Sequence, residues 1–136
     1  LLVTVLLVAC GGTPEPAAGP PVLAVKGMVD QELNLSMEGL KALGVQQITA
    51  EHPKNGSQDY EGVLLSAVLD EAGVKSGATA LVFTASDEYQ AEVTMVEVEG
   101  CADCLIAIGA TGSLTMVMPG LPSKAWVKSV VSIEVK

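Results

Sequence analysis

The sequence predicts an α+β domain. Three observations carry that expectation: apolar runs of strand length recur along the chain, few stretches show helical spacing, and strands and helices do not alternate regularly as in a doubly wound sheet. At 136 residues the length suits one domain with its own core. Apolar residues make up 49% of the chain but Phe, Trp and Tyr only 3%, so that core must be built from Val, Leu, Ile, Ala and Met.

The domain proper is expected over residues 22–136, without internal repeat or second domain. Residues 22–29 read as a strand in which Gly27 marks a bulge. Leu33 and Leu35 flank a short strand or turn. Ser36 is a suitable N-cap for a helix over 37–43, with Gly44 as its stop. Residues 45–50 alternate as a second strand, followed by a polar loop over 51–59 that carries Asn55-Gly56 and the sole histidine, His52. Residues 60–62 are short and extended. Leu64, Leu65, Val68, Leu69 and Ala72 recur at helical spacing, and Gly73 ends that helix. A buried strand over 79–85 turns through Ser86-Asp87-Glu88 into 89–93 as a hairpin. Thr94 caps a short turn over 95–98. Apolar strands over 105–108 and 114–118 are joined by Gly109-Ala110-Thr111-Gly112, and a last strand over 129–135 places Val131, Ile133 and Val135 on one face. The tally is seven or eight short strands with two helices.

Net charge is −9 and there is no Arg. Nucleic-acid binding needs clustered phosphate-neutralising cations, so that class is excluded. The acidity is what keeps such a protein soluble. Against it stands one basic, aromatic stretch, residues 116–128, which holds the only Trp and two of the seven Lys between apolar runs. A loop of that kind is a candidate ligand edge.

Residues 1–10 are apolar except Thr4 and too short to span a bilayer, but they suit the hydrophobic region of a secretion signal. The sequence begins at Leu1, and a basic segment is expected ahead of it. Leu7-Val8-Ala9-Cys10 looks like a bacterial lipobox, with Cys10 as the lipidated residue. Residues 11–21, with three Gly and four Pro, read as a flexible linker. The expectation is a bacterial lipoprotein held outside the cytoplasm, on a membrane, by its N-terminal lipid. With Cys10 lipidated, Cys101 and Cys104 remain. In an oxidising compartment a local disulfide is the simplest state. A redox pair would normally open a helix after a strand, whereas here an apolar strand follows the motif. Four-ligand zinc would need further soft ligands, and only His52 exists.

Several motifs then resemble one family in the right order across residues 22–136. They are Val25-x-Gly27-x-Val29; Tyr60-x-Gly62-Val63-x-Leu65-x-x-Val68-Leu69-x-x-Ala72-Gly73-Val74; Thr84-Ala85-Ser86-Asp87-x-Tyr89; and Val117-Met118-Pro119-Gly120 with Lys124, Trp126-Val127-Lys128 and Ile133-Glu134-Val135. Together they resemble the sulfite-oxidase-type molybdopterin-binding domain, in its small stand-alone form. The resemblance implies mixed β-sheets with two or three short helices, an oxidoreductase-like function, and a molybdopterin pocket formed by loops on one side. In catalytic members a Cys in the loop after the second strand gives molybdenum a thiolate, near an Arg-bearing motif. Here that loop reads Ala50-Glu51-His52-Pro53-Lys54-Asn55-Gly56, with neither.

The candidate pocket is therefore Glu51, His52, Lys54, Asp87, Tyr89, Lys124, Trp126 and Lys128. His52 could serve as base or ligand, or be solvated on its loop. Asp87 and Tyr89 could orient a ligand or simply form a hairpin turn. Lys124 and Lys128 could meet an anion or offset acidic neighbours, and Trp126 could stack on a flat heterocycle or plug the core. Three readings follow: a cofactor-holding oxidoreductase-like domain, a pocket kept for a small anionic or aromatic ligand without the metal, and a module that docks a redox or other protein partner.

Overall fold

A computed structural model describes residues 20–136. The expected signal segment over residues 1–10, with Cys10, and residues 11–19 of the expected linker lie outside the described residues. In chain order the elements are β1 (Pro21–Gly27), β2 (Leu33–Ser36), α1 (Met37–Lys41), β3 (Val45–His52), β4 (Gly56–Leu64), α2 (Leu65–Ala72), β5 (Ala80–Ala85), β6 (Gln90–Thr94), α3 (Met95–Glu99), β7 (Leu105–Ile108), β8 (Leu114–Val117), a 3-10 turn (Ser123–Ala125) and β9 (Val130–Val135). The α+β class and its mixed sheets hold. One sheet has the strand order β2-β1-β9-β5-β6 and the other β3-β4-β7-β8. Only β1 and β9 pair in parallel; the remaining ladders are antiparallel.

Local chemistry sets the helix ends. Ser36 accepts from the Gly39 amide and starts α1. At α3, Thr94 and Glu97 form a reciprocal capping box, so the short turn expected there is a third helix. Gly73 closes α2 at φ 74°, a conformation that would strain any residue with a Cβ.

Two strand expectations change. The polar stretch over 51–59 is not a loop: β3 and β4 pair continuously from Val45↔Val63 to His52↔Gly56, leaving only Pro53, Lys54 and Asn55 as the turn. The side chains look loop-like because much of this ribbon faces water, with Thr49 Oγ1 donating to Asp59 Oδ1 at 2.6 Å. At the chain end, Val130, Ile133 and Val135 point inward while Val131 is 40% exposed. The register slips there, Thr84 pairing with Ser132 and Ala85 with Val130, so Val131 is the extra residue of a bulge.

Both sheets feed one core. Leu23, Val25, Leu81, Phe83 and Ile133 from the first meet Val63, Leu105, Ile106 and Met116 from the second in a single buried cluster. Each fully buried side chain of this size contributes on the order of 1.5–3 kcal/mol. Gly62 lets β4 and β7 close, since a Cβ there would run into the Ile106 carbonyl oxygen. The sheets are also tied by backbone pairing: the Met116 amide donates to the Val127 carbonyl at 2.8 Å, and Thr115 forms an antiparallel bridge with Lys128, just before β9 begins. That tie fixes the segment after β8 against the tips of β3–β4 and β5–β6.

Candidate functional site

Three connections meet at those tips. The β3–β4 turn brings His52, Lys54 and Asn55; the β5–β6 turn brings Asp87 and Tyr89; the segment from the 3-10 turn toward β9 brings Ser123, Lys124, Trp126 and Lys128. Together they line an open groove of about 400 Å³.

Each connection is shaped by its own residues. Gly56 takes φ 80° to close the three-residue turn. Inside that turn, His52 Nδ1 accepts from the Lys54 amide at 2.9 Å and the Asn55 amide at 3.2 Å. With Nδ1 so occupied, the proton of the neutral ring sits on Nε2. In that tautomer His52 is a hydrogen-bond donor through Nε2.

In the β5–β6 turn, Asp87 Oδ1 accepts from the Tyr89 amide at 3.1 Å, and Glu88 between them adopts φ 74°. Asp87 is a turn former at the groove rim. The Tyr89 hydroxyl donates to the Lys124 carbonyl at 3.1 Å, clasping this turn to the 3-10 segment, while the residue stays 47% exposed.

Trp126 is the floor. It is 5% exposed, its Nε1 donates to the Leu121 carbonyl at 3.4 Å, and the His52 ring meets it edge-on at 4.6 Å with an interplanar angle of 70°. Tyr60 approaches from the β4 side with centroids 6.0 Å apart. The indole is a core plug that positions His52; the exposed aromatic at the groove is Tyr89.

Seven of the eight sequence candidates therefore share one groove. Glu51 lies outside that groove and lines an adjoining recess together with His52, Pro53, Gly120, Leu121 and Pro122. Sequence reasoning missed Asn55 and Ser123 as lining residues. Asn55-Gly56 as a turn signal and Ser123 beside Lys124 were the available cues.

The geometry defines a class: an α+β domain with mixed sheets whose turns build an open groove where the sheets converge. Residues 45–136 match the family described as the oxidoreductase molybdopterin binding domain, and the chain belongs to that family. The sulfane dehydrogenase SoxCD from Paracoccus pantotrophus shares the fold, with a TM-score of 0.71 over 83% of this chain at 24% identity. This chain spans 37% of that protein's chain. No curated protein matches it in sequence.

The cofactor such a family implies divides into an anionic pterin and a metal, and the groove treats the halves differently. Lys54, Lys124 and Lys128, three of the chain's seven lysines, border it. They suit an anion, as point charges rather than the bidentate fork an Arg would offer. A thiolate-held metal does not fit. Among the described residues no cysteine lines the groove, and Cys101 and Cys104 are bonded to each other.

Proposed function

We propose that this chain is a lipid-anchored, extracytoplasmic member of the molybdopterin-binding family. Its groove takes a small anionic ligand of the pterin-phosphate type without a thiolate-ligated metal. The observation that carries this reading is the convergence of Lys54, Lys124 and Lys128 on one groove in a chain of net charge −9. Cations gathered against the overall charge raise the local concentration of an anion and attract it more strongly at low salt. His52 Nε2–H adds a fixed donor, held in place by its own turn and by the Trp126 edge. Tyr89 offers a half-exposed ring at the rim for a flat heterocycle. The lipid anchor rests on the apolar residues 1–10 ending in Cys10 and on the Pro- and Gly-rich stretch behind them.

The test is to purify the full chain from a host that makes molybdopterin and measure pterin and molybdenum per chain. Binding of inorganic pyrophosphate to pterin-free protein is then titrated at two salt concentrations. The expected result is pterin without stoichiometric molybdenum. Pyrophosphate binding should weaken with salt and fall more than tenfold in the triple variant K54Q/K124Q/K128Q, an effect on the order of 1.4 kcal/mol or more. One molybdenum per chain overturns the metal-free reading. Absence of pterin, together with equal pyrophosphate binding by parent and triple variant, overturns the groove. Membrane association that survives Cys10→Ala overturns the anchor.

A further inference from the structure

A second cleft, of about 710 Å³, lies among α2, α3 and the Cys101–Cys104 loop, and shares no lining residue with the groove. Ser66, Leu69, Asp70, Val98 and Glu99 border it, and Cys101 opens onto it. The two sulfurs of the bridge are placed differently. Cys101 is half-buried at the cleft wall, whereas Cys104 is 2% exposed beneath β7. An attacking thiolate therefore has one reachable sulfur.

A second feature concerns the reduced form. Cys101 Sγ lies 3.7 Å from the Pro119 carbonyl oxygen. In the bridged state this sulfur carries no proton to donate. Once reduced, its S–H has an acceptor already in place. The folded chain thus receives the dithiol state without leaving the newly made Cys101 thiol unpartnered. The bridge also closes a loop of the shortest useful kind, with a sequence separation of 3, so it constrains the unfolded chain little. Neither feature is what a purely structural staple requires.

We propose that Cys101–Cys104 is an exchangeable disulfide, reduced through the cleft by a dithiol-bearing protein partner that attacks Cys101. A thiolate of the partner forms a bond to Cys101 Sγ as the Cys101–Cys104 bond breaks. The Cys104 thiolate takes the proton of the partner's second thiol. That second thiolate then attacks the partner's own bridging sulfur, and Cys101 leaves as a thiolate and takes a proton from solvent. Two electrons pass to this chain, and the partner ends as a disulfide. As one half of a disulfide, Cys101 is the electrophile of the pair, and Asp70, Lys75 and Glu99 line the cleft around it.

Reduction has a readout through the fold, because Pro119 begins the segment that reaches the groove floor: the Leu121 carbonyl accepts the Trp126 indole N–H. The experiment uses the full chain with Cys10→Ser, so that only the pair can react. The native protein is treated with dithiothreitol, and separately with a thioredoxin-type dithiol protein. The freed thiols are trapped with a maleimide and located by mass, while the emission of the single Trp is followed. The expected result is opening without denaturant by both reductants, at least tenfold faster labelling of Cys101 than of Cys104, and a shift in Trp126 emission on the same time course. Opening that requires denaturant, or equal labelling rates at the two cysteines, overturns the proposal. So does opening by dithiothreitol but not by the dithiol protein.

Discussion

Trp126→Ala separates the two roles that the sequence left open for the only tryptophan. In the fold the indole is 5% exposed, with His52 edge-on at 4.6 Å and Tyr60 at 6.0 Å. Truncating such a ring removes its transfer free energy and leaves a cavity that the surrounding strands fill only in part, at a cost of about 3–5 kcal/mol. The aromatic contacts account for roughly 0.5–1.5 kcal/mol of that each. The N–H bond to Leu121 is long at 3.4 Å and contributes little. For a domain of this size about 3 °C of Tm is lost per kcal/mol, so the melting point should fall by roughly 10–15 °C. Trp126→Phe keeps a ring on the floor and should recover most of the loss. Because the substitution removes the only Trp, melting is followed by far-UV circular dichroism. A variant that melts within 3 °C of the parent yet no longer binds pyrophosphate would refute this reasoning, since the indole would then act as a ligand platform rather than as the floor.

The other expected outcomes concern the frame around the groove. His52→Ala leaves the Lys54 and Asn55 amides without their acceptor in a solvent-exposed turn, at a cost of about 0.5–1.5 kcal/mol in urea unfolding; His52→Asn, whose Oδ1 can stand where Nδ1 stood, should restore most of it. Gly62→Ala drives a Cβ into the Ile106 carbonyl, which belongs to backbone and cannot swing aside. The β4–β7 ladder must part, and a loss of about 3 kcal/mol or more is expected in the same assay. Reducing the Cys101–Cys104 bridge should lower stability by only about 2 kcal/mol, the entropy of so short a loop, with far-UV dichroism unchanged.

Much of the fold was legible because its signals are local. The Ser36 and Thr94 caps, the glycine stop after α2 and the apolar runs of β5, β7 and β8 each act within a few residues. The errors came where tertiary context decides. Residues 51–59 look like a loop because a water-facing ribbon has no need of apolar alternation, and only pairing with β4 reveals the strand. Val131 keeps the periodicity of its neighbours but loses its place to a register slip set by β5. The groove residues were legible as candidates because charge and aromaticity are scarce in this chain and stand out. Their roles were not. Whether Asp87 points at a ligand or at the Tyr89 amide, and which nitrogen of His52 is free, depend on turn geometry that composition does not carry.

The same geometry decides how the family's groove works without its thiolate. Among the described residues, no cysteine elsewhere can substitute. Cys104 is buried beneath β7, its carbonyl accepting from the first residue of α2, and Cys101 opens onto a different cleft. Bringing either sulfur to the groove would mean dismantling the join between α2 and β7. His52 is no substitute either. Presenting a lone pair at Nε2 requires moving the proton to Nδ1, which removes the acceptor of both turn amides and loosens the tip that carries Lys54. Each route to a protein-held metal thus costs the structure that builds the anion site. What remains inexpensive is the cationic edge, whose lysines sit on turns fixed by backbone bonds and by the Tyr89–Lys124 clasp. On the proposed reading, a groove without a thiolate that keeps this edge is left with anion recognition as its chemistry.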